Sequence, residues 1–276
     1  FQKRMLESTR LGIPALVHEE CLSGLMTEGA TQFPSPLNYG ATWNPALMRR
    51  VGDTIRRQMR RLGAHQGLAP VADVARDARW GRVEECIGED PYLVGAMVTE
   101  YVRGLQGDSL ASGVVATLKH FAGYSGGEGG RNFAPVHVGE REMRDVYLVP
   151  FEMAVRLGGA KSVMNSYAEI DGDPAAASRW LLTKVLRDDW GFDGYVVADY
   201  YAVKFLETLH RVAENTADAA ARALSAGLDV ELPLPGGYWT GLPEALRTGR
   251  LEPDVIDTSV RRVLRYKFRL GLFEQP

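Results

Sequence analysis

Short β-rich runs alternate with longer amphipathic segments along the whole chain, and this alternation most limits how the chain can fold. The runs are IPALVHEE (13–20), FPSPLNYGA (33–41), HQGLAPVADVA (65–75), VVATLKHFAG (114–123), KSVMNSYAEI (161–170), YVVADYY (195–201) and GLDVELP (227–233). Segments of helical period lie between them. In 45–62, Leu47, Val51, Ile55 and Met59 recur every four residues, and 140–157, 178–190, 214–226 and 252–270 read the same way. Pro91 suits a helix N1 position behind Glu89 and Asp90, and Ser178 suits an N-cap. Strand–helix repeats in one domain-sized length predict parallel strands with right-handed crossovers. No GxGxxG follows the first strand, which argues against a dinucleotide-binding doubly wound sheet. The expectation is an α/β fold of the (β/α)8 TIM type, which needs about 250 residues and one strand more than the seven runs supply. Taking 1–10 as the tail of the first barrel helix puts that missing strand before residue 1.

The rest of the composition excludes more than it assigns. With 276 residues, 45% hydrophobic and 24% charged, the chain has the make-up of a soluble globular protein, which fits a cytoplasmic or a secreted location equally. A net charge of −3 leaves no electrostatic footprint for nucleic acid. No apolar run approaches the roughly 20 residues of a membrane span. Cys21 and Cys86 form no ligand-spaced cluster and read as packing residues. The chain starts at Phe1, already inside a helical pattern, as a part of a longer product would.

Nearly every β-rich run ends in polar or ionisable residues: Glu19 and Glu20; Asp73 with Arg76 and Asp77; Lys119 and His120; Asn165 with Tyr167; Asp199; Glu231. In a barrel these ends converge on one mouth, where active sites lie. Asp199, closing the apolar run YVVAD, is either a cap for a helix beginning near Ala202 or a rigidly held nucleophile. Carboxylate nucleophiles belong to retaining glycoside hydrolysis, in which a second carboxyl group about 5 Å away protonates the leaving oxygen. Lys119 and His120 reach the same mouth only where their strand ends and bends, and there they would donate to sugar hydroxyls. RDARWGRVEECIGEDP (76–91) sets Arg76, Arg79, Arg82 and Trp80 among five acids. Some of these arginines are expected to brace the loop, with Arg76 and Arg82 as ligand-binding candidates. The adjacency in HEE (18–20) argues against a metal site, so Glu20 is taken as an acceptor for sugar hydroxyls, and no metal or other cofactor is expected.

Eight collinear pieces together resemble glycoside hydrolase family three, the β-glucosidase and β-xylosidase family with a (β/α)8-type first domain. They are RLGIPALVHEE, RDARWGRVEECIGEDP, LKHFAGY, EREMRDVYLVPFEMAV, MNSYAEIDGDP, GYVVADYY, AGLDVELP and RRVLRYKFRLGLFE. The resemblance implies one barrel over 1–276, with 262–276 as its exit helix or linker and the α/β sandwich domain of two-domain relatives absent. Asp199 matches the nucleophile, and Glu20, Arg82, Lys119, His120, Met164 and Tyr167 match the pocket for the terminal sugar. Tyr200 stands where many relatives carry Trp, and Ser23 where many carry His. Two-domain relatives take their acid/base Glu from the second domain, so that residue is expected beyond residue 276, on that domain or on an oligomer partner. Single-domain hexosaminidases use an Asp-His pair after the Lys-His strand. Here that loop reads SGGEGGRNFAP, with Arg131 and Asn132 where Ser-His is expected and Glu128 as the one substitute acid. The implied activity is a retaining exo-acting β-glycosidase on β-glucosides or β-xylosides. The alternatives are a sugar-binding barrel without catalysis and a β-N-acetylhexosaminidase.

Overall fold

The computed structural model describes residues 1–234 and 236–275. In chain order the elements are α1 (Gln2–Ser8), β1 (His18–Glu19), α2 (Pro36–Ala41), α3 (Pro45–Arg61), β2 (Gln66–Gly67), α4 (Pro91–Gln106) and β3 (Val115–Phe121). There follow α5 (Glu140–Glu142), α6 (Val149–Arg156), β4 (Ser162–Asn165), β5 (Glu169–Ile170), β6 (Asp173–Pro174) and β7 (Tyr195–Val197). The chain closes with α7 (Ala202–Thr208), α8 (Thr216–Ala226), α9 (Gly237–Arg247) and α10 (Pro253–Arg269). Met143–Tyr147 and Trp180–Asp189 wind as wider π-type helix.

The principal sheet has five parallel strands in the order β1-β2-β3-β4-β7, which is chain order, with helices between successive strands. Val230 bridges Val197 in parallel and takes the next position. This is the barrel-type α/β arrangement that the alternation predicts. On the inward face Gln66 Nε2 donates to Thr117 Oγ1 at 2.9 Å and to Ser162 Oγ at 3.2 Å, joining three neighbouring strands through one buried amide. An apolar layer of Leu68, Val115, Met164, Tyr195 and Val197 packs with Tyr266, Leu270 and Leu272 from the end of α10. Residues 262–269 are thus the second half of α10, and Lys267 Nζ donates to the Pro14 carbonyl at 2.7 Å, reaching back to the approach of β1. A larger apolar cluster lies between the sheet and the helices.

Local chemistry fixes the helix starts. Asn44, Asp90 and Asn215 each accept from the backbone N–H three residues on, at 3.1, 2.6 and 3.0 Å. Pro45, Pro91 and Pro253 hold first-turn positions, where their missing N–H costs nothing. Ser178 Oγ accepts from Leu181 N at 3.3 Å, as the sequence predicts for a cap. Helices α3 and α4 pack closely through Gly52 and Gly104, and a Cβ on Gly104 would lie 2.2 Å from the Arg49 carbonyl oxygen.

Three expectations need correction. FPSPLNYGA (33–41) is not a strand: its second half is α2, because Pro36 cannot donate to a ladder but suits the first turn of a helix behind Ser35. GLDVELP (227–233) contributes a single bridge at Val230 rather than a run of pairs. Glu231 is drawn away from any ligand, since its carboxylate accepts from Gly237 N and Tyr238 N, both at 2.7 Å, and caps α9. That cap starts a helix that Gly236, Gly237 and Pro243 disguise in the sequence.

Beyond β7 a buried carboxylate reinforces the few backbone bonds that continue the sheet. Asp229 Oδ2 accepts from Val196 N and from Arg187 Nη2, both at 2.8 Å, and its Oδ1 accepts from Arg262 Nη1 at 2.9 Å. Strand β7, the Trp180–Asp189 helix and α10 therefore meet on one side chain. Truncation leaves the Val196 N–H without its acceptor and the buried Arg187 guanidinium without its counter-charge, with only the Gly194 and Gly227 carbonyls to accept from it. Asp229→Ala is expected to lower stability by about 3–5 kcal/mol, the usual loss when one partner of a buried pair is removed, as read by urea unfolding.

Candidate active site

The C-terminal ends of the parallel strands bring the predicted polar residues together in part. Asp199 lies two residues past β7, with only 8% of its surface exposed. It does not cap α7 with its side chain: Oδ1 accepts from Tyr200 N at 2.7 Å and from Tyr167 OH at 2.9 Å. The Tyr167 hydroxyl also lies 2.8 Å from the Tyr200 carbonyl, but it has one proton, and the carboxylate is the stronger acceptor. Asn165 Oδ1, at the end of β4, accepts from the Asp199 backbone N at 3.3 Å and pins the nucleophile candidate at its root. Oδ2 is buried and has no hydrogen-bond partner among the described residues. Burial pushes the Asp199 carboxyl above its ordinary value, opposed by the Tyr167 hydroxyl, the Tyr200 N–H and the charges of Lys119 and Arg82.

His120 stands next to that free oxygen, with Nε2 at 3.9 Å from Asp199 Oδ2. Its orientation is set from both sides. The buried Asp73 Oδ2 accepts from His120 Nδ1 at 2.8 Å and from the His120 backbone N at 3.0 Å, while Arg82 Nη2 approaches Nε2 at 3.1 Å. A neutral imidazole carrying its proton on Nδ1 satisfies both contacts. Burial, Arg82 and Lys119 all hold the ring well below its ordinary pKa and favour that form. The approach to Asp199 is therefore not an ion pair. Arg82 itself is held by a two-pronged contact to Glu85 at 2.6 and 2.8 Å and lies over the Tyr124 ring at 5.3 Å.

Lys119 and His120 both enter the site because the β3–β4 ladder slips between Leu118 and Phe121, where the strict in-and-out alternation of a strand is broken. Lys119 is buried, and its ammonium donates to Glu20 Oε2 at 2.8 Å, leaving Glu20 partly exposed. Tyr200 is partly buried and packs on the inward apolar layer, and Met164 is buried within that layer below the polar groups.

Two sequence candidates stand apart from this cluster. Arg76 is half exposed and faces Glu142 at 3.7 Å. Glu128 is half exposed and bonds to Arg131 at 3.2 Å and His137 at 2.9 Å. Of the other loop arginines, Arg79 braces Asp77 on the surface, so Arg82 alone reaches the site. The sequence reading does not single out Glu85 or Tyr124, and it takes Asp73 only as one of the polar strand ends, without a role. Asp73 carried the needed signal, being a lone carboxylate inside the apolar run APVADVA, the same anomaly that draws attention to Asp199. Among the described residues no three His, Cys, Asp or Glu side chains are placed to hold a metal ion. No helix among them is long and apolar enough to cross a membrane.

A carboxylate with one oxygen tied down and the other without a partner among the described residues, beside groups able to donate to and accept from hydroxyls, is an arrangement that glycoside hydrolysis can use. Residues 1–266 match the model of the glycosyl hydrolase family 3 N-terminal domain, and the chain belongs to that family. A putative β-xylosidase of Formosa agariphila is 42% identical over 100% of this chain and 37% of its own length. A β-glucosidase of Rhizobium radiobacter is 35% identical over 96% of this chain and 31% of its own length. Among solved structures, a β-glucosidase from Erythrobacter marinus superposes with a TM-score of 0.96 at 44% identity, covering 100% of this chain and 37% of that one. A Listeria innocua β-glucosidase variant in complex with laminaribiose gives 0.94 at 34% identity, again over 100% of this chain and 38% of that one. The chain thus spans about a third of the length of these relatives, from 31% to 38%.

The hydrogen bond from Tyr167 sets how far the Asp199 carboxyl is raised. Tyr167→Phe is expected to move its titration further upward, because the lost hydrogen bond favours the charged form of the carboxyl. Carbon-13 NMR of the Asp199 carboxyl, followed across pH, reads the change.

Proposed function

We propose that this chain is the nucleophile-bearing domain of a retaining, exo-acting β-glycosidase that removes terminal β-D-glucosyl or β-D-xylosyl residues. The single observation that carries the reading is the asymmetry of Asp199, whose Oδ1 takes two donors while Oδ2 has none among the described residues. Family membership and relatives named as β-glucosidases and β-xylosidases support it. In this reading Oδ2 attacks the anomeric carbon and becomes the ester oxygen of a glycosyl–aspartate intermediate. Oδ1 becomes the ester carbonyl, still held by Tyr167 and Tyr200 N–H, so the leaving carboxylate is stabilised again when water releases the sugar. Glu20, Lys119, His120 and Arg82 receive the hydroxyls of the terminal sugar. The Nε2 lone pair of His120, which accepts from Arg82 in this structure, accepts a sugar hydroxyl where that hydroxyl displaces Arg82 Nη2, while Lys119 and Arg82 donate. Met164 and Tyr200 supply apolar wall.

The proton donor is proposed to be a glutamate beyond residue 276, which fits a chain matching little more than a third of its relatives' length. General acid assistance is worth about 10²–10⁴-fold, so residues 1–276 alone are expected to turn over sugar leaving groups very slowly. A dinitrophenyl leaving group needs no such help and departs as the phenolate. Residues 1–276 incubated with a dinitrophenyl 2-deoxy-2-fluoro-β-glycoside are therefore expected to gain one fluoroglycosyl mass on Asp199, and Asp199→Ala to gain none. Intact-mass and peptide mass spectrometry check both. Sugar binding without labelling would turn the reading into a binding barrel, and brisk hydrolysis of cellobiose or xylobiose would overturn the assignment of the acid to another part of the protein.

A further inference from the structure

Asp73 is sealed behind His120, the side chains being 1% and 2% exposed. Backbone pairing delivers it there. Lys119 N donates to the Pro70 carbonyl at 3.2 Å and Ala72 N to the Lys119 carbonyl at 2.6 Å, so residue 73 arrives beside residue 120. A carboxylate this deep carries a desolvation cost, so what it bonds to matters. The groups around the His120 ring are few. Besides Asp73 they are Lys119 on the same strand, Arg82 with its partner Glu85 from the loop before α4, the Tyr124 ring edge to face at 5.2 Å, and Asp199 beyond β7.

Both bonds from His120 end on the same oxygen, Asp73 Oδ2, the backbone N at 3.0 Å and Nδ1 at 2.8 Å. A backbone N–H can only donate, so this oxygen is fixed as an acceptor, and the ring nitrogen beside it must donate as well. Burial pushes the Asp73 carboxyl up to about 7, yet a proton taken up on Oδ1 leaves Oδ2 accepting as before. On the other side Arg82 Nη2, which cannot accept, lies 3.1 Å from Nε2. The lone pair of the neutral ring is thus on Nε2, and the consequence falls on Asp199. Nε2 is 3.9 Å from Oδ2, the oxygen with no partner among the described residues, and a lone pair offers it nothing. A proton on Nε2 would need a shift of only about 1 Å to become a hydrogen bond to that oxygen.

We propose that Asp73 is a positioning residue for the nucleophile: by holding the His120 proton on Nδ1 it keeps Nε2 from donating to Asp199 Oδ2, so that oxygen stays free to attack. This rests on Asp199 being the nucleophile, and Asp73 acts only through His120. Without an acceptor at position 73 the buried Nδ1–H is unsatisfied. The proton then moves to Nε2, where the Asp199 carboxylate accepts it, while Arg82 keeps its two contacts to Glu85. The ring loses one proton and gains one, and remains neutral. Bonded to Nε2–H, Oδ2 is the weaker nucleophile, and the bond favours the ionised carboxyl and draws its titration downward.

The test follows covalent labelling across pH in the protein at its natural length, using a 2-deoxy-2-fluoro-β-glycosyl fluoride, whose fluoride departs with its electron pair as C1 bonds to Oδ2. Asp73→Leu removes the acceptor while filling its space. Its limiting labelling rate is expected to fall about ten- to a hundredfold, the worth of one hydrogen bond to a charged group, and its acid limb to shift to lower pH. Asp73→Asn supplies an oxygen that the His120 backbone N–H orients as the acceptor, and is expected to restore both the rate and the position of the limb. A limb that stays in place in Asp73→Leu overturns the proposal however far the rate falls, because loss of bracing slows labelling without moving the titration. An asparagine variant as slow as the leucine one overturns it too. Where the leucine variant fails to fold, nitrogen-15 NMR of the His120 ring in the unaltered protein decides. A proton on Nδ1 and none on Nε2 is expected, and a proton on Nε2 overturns the proposal. Failure of the reagent to label the unaltered protein would instead remove the nucleophile reading of Asp199, and this inference with it.

Discussion

The regular parallel ladder runs out after β7, and its far side is held by a few backbone bonds to residues 229–232 together with one buried side chain, that of Asp229. Asp229 takes the N–H of Val196, one residue before the strand ends at Val197, and pairs with two guanidinium groups from different helices. The strand that carries Asp199 is thus braced by charge where no long ladder partner follows it, Val230 supplying only one bridge. Because α10 is anchored at that same carboxylate, its last turns reach under the barrel and close the apolar layer with Tyr266, Leu270 and Leu272. The position of the nucleophile candidate therefore depends on a residue that never faces the mouth.

Within the mouth, charge is almost fully accounted for. Lys119 answers Glu20, Arg82 answers Glu85, and Asp73 takes the two N–H groups of His120. Each group is held by its partner before any ligand arrives, so little reorganisation is asked of the site. What is left over is one oxygen of Asp199. Its neighbours raise or lower its basicity without satisfying it. Burial disfavours the charge, the Tyr167 hydroxyl and Tyr200 N–H restore part of it, and the neutral His120 adds no proton.

Much of this was legible in the sequence, and the reasons are specific. Apolar runs ending in an ionisable residue are informative because a buried strand gains nothing from a carboxylate at its tip, and that reasoning located Asp199, Glu20 and the Lys119–His120 pair. The same reasoning overreached at Glu231, because a carboxylate just before a helix can equally serve that helix's free N–H groups. Composition also misread 33–41, where aromatic and apolar residues imitate a strand while two prolines forbid the ladder. Arg76 and Arg82 could not be separated by type. Which of them turns inward depends on Glu85 and Glu142, and that pairing follows from the path of the loop in space.

The contact between Lys119 and Glu20 spans 99 residues of chain, and that from Lys267 to Pro14 spans 253. A barrel tied by such distant contacts has a high contact order, so its folding is slow and its pocket is among the last things to exist. During synthesis the early strands must wait, with Lys119 and Asp73 still hydrated, until the final helix emerges. The polar mouth then doubles as protection for the nascent chain, because the strand ends it leaves uncovered are charged and resist pairing with a neighbour.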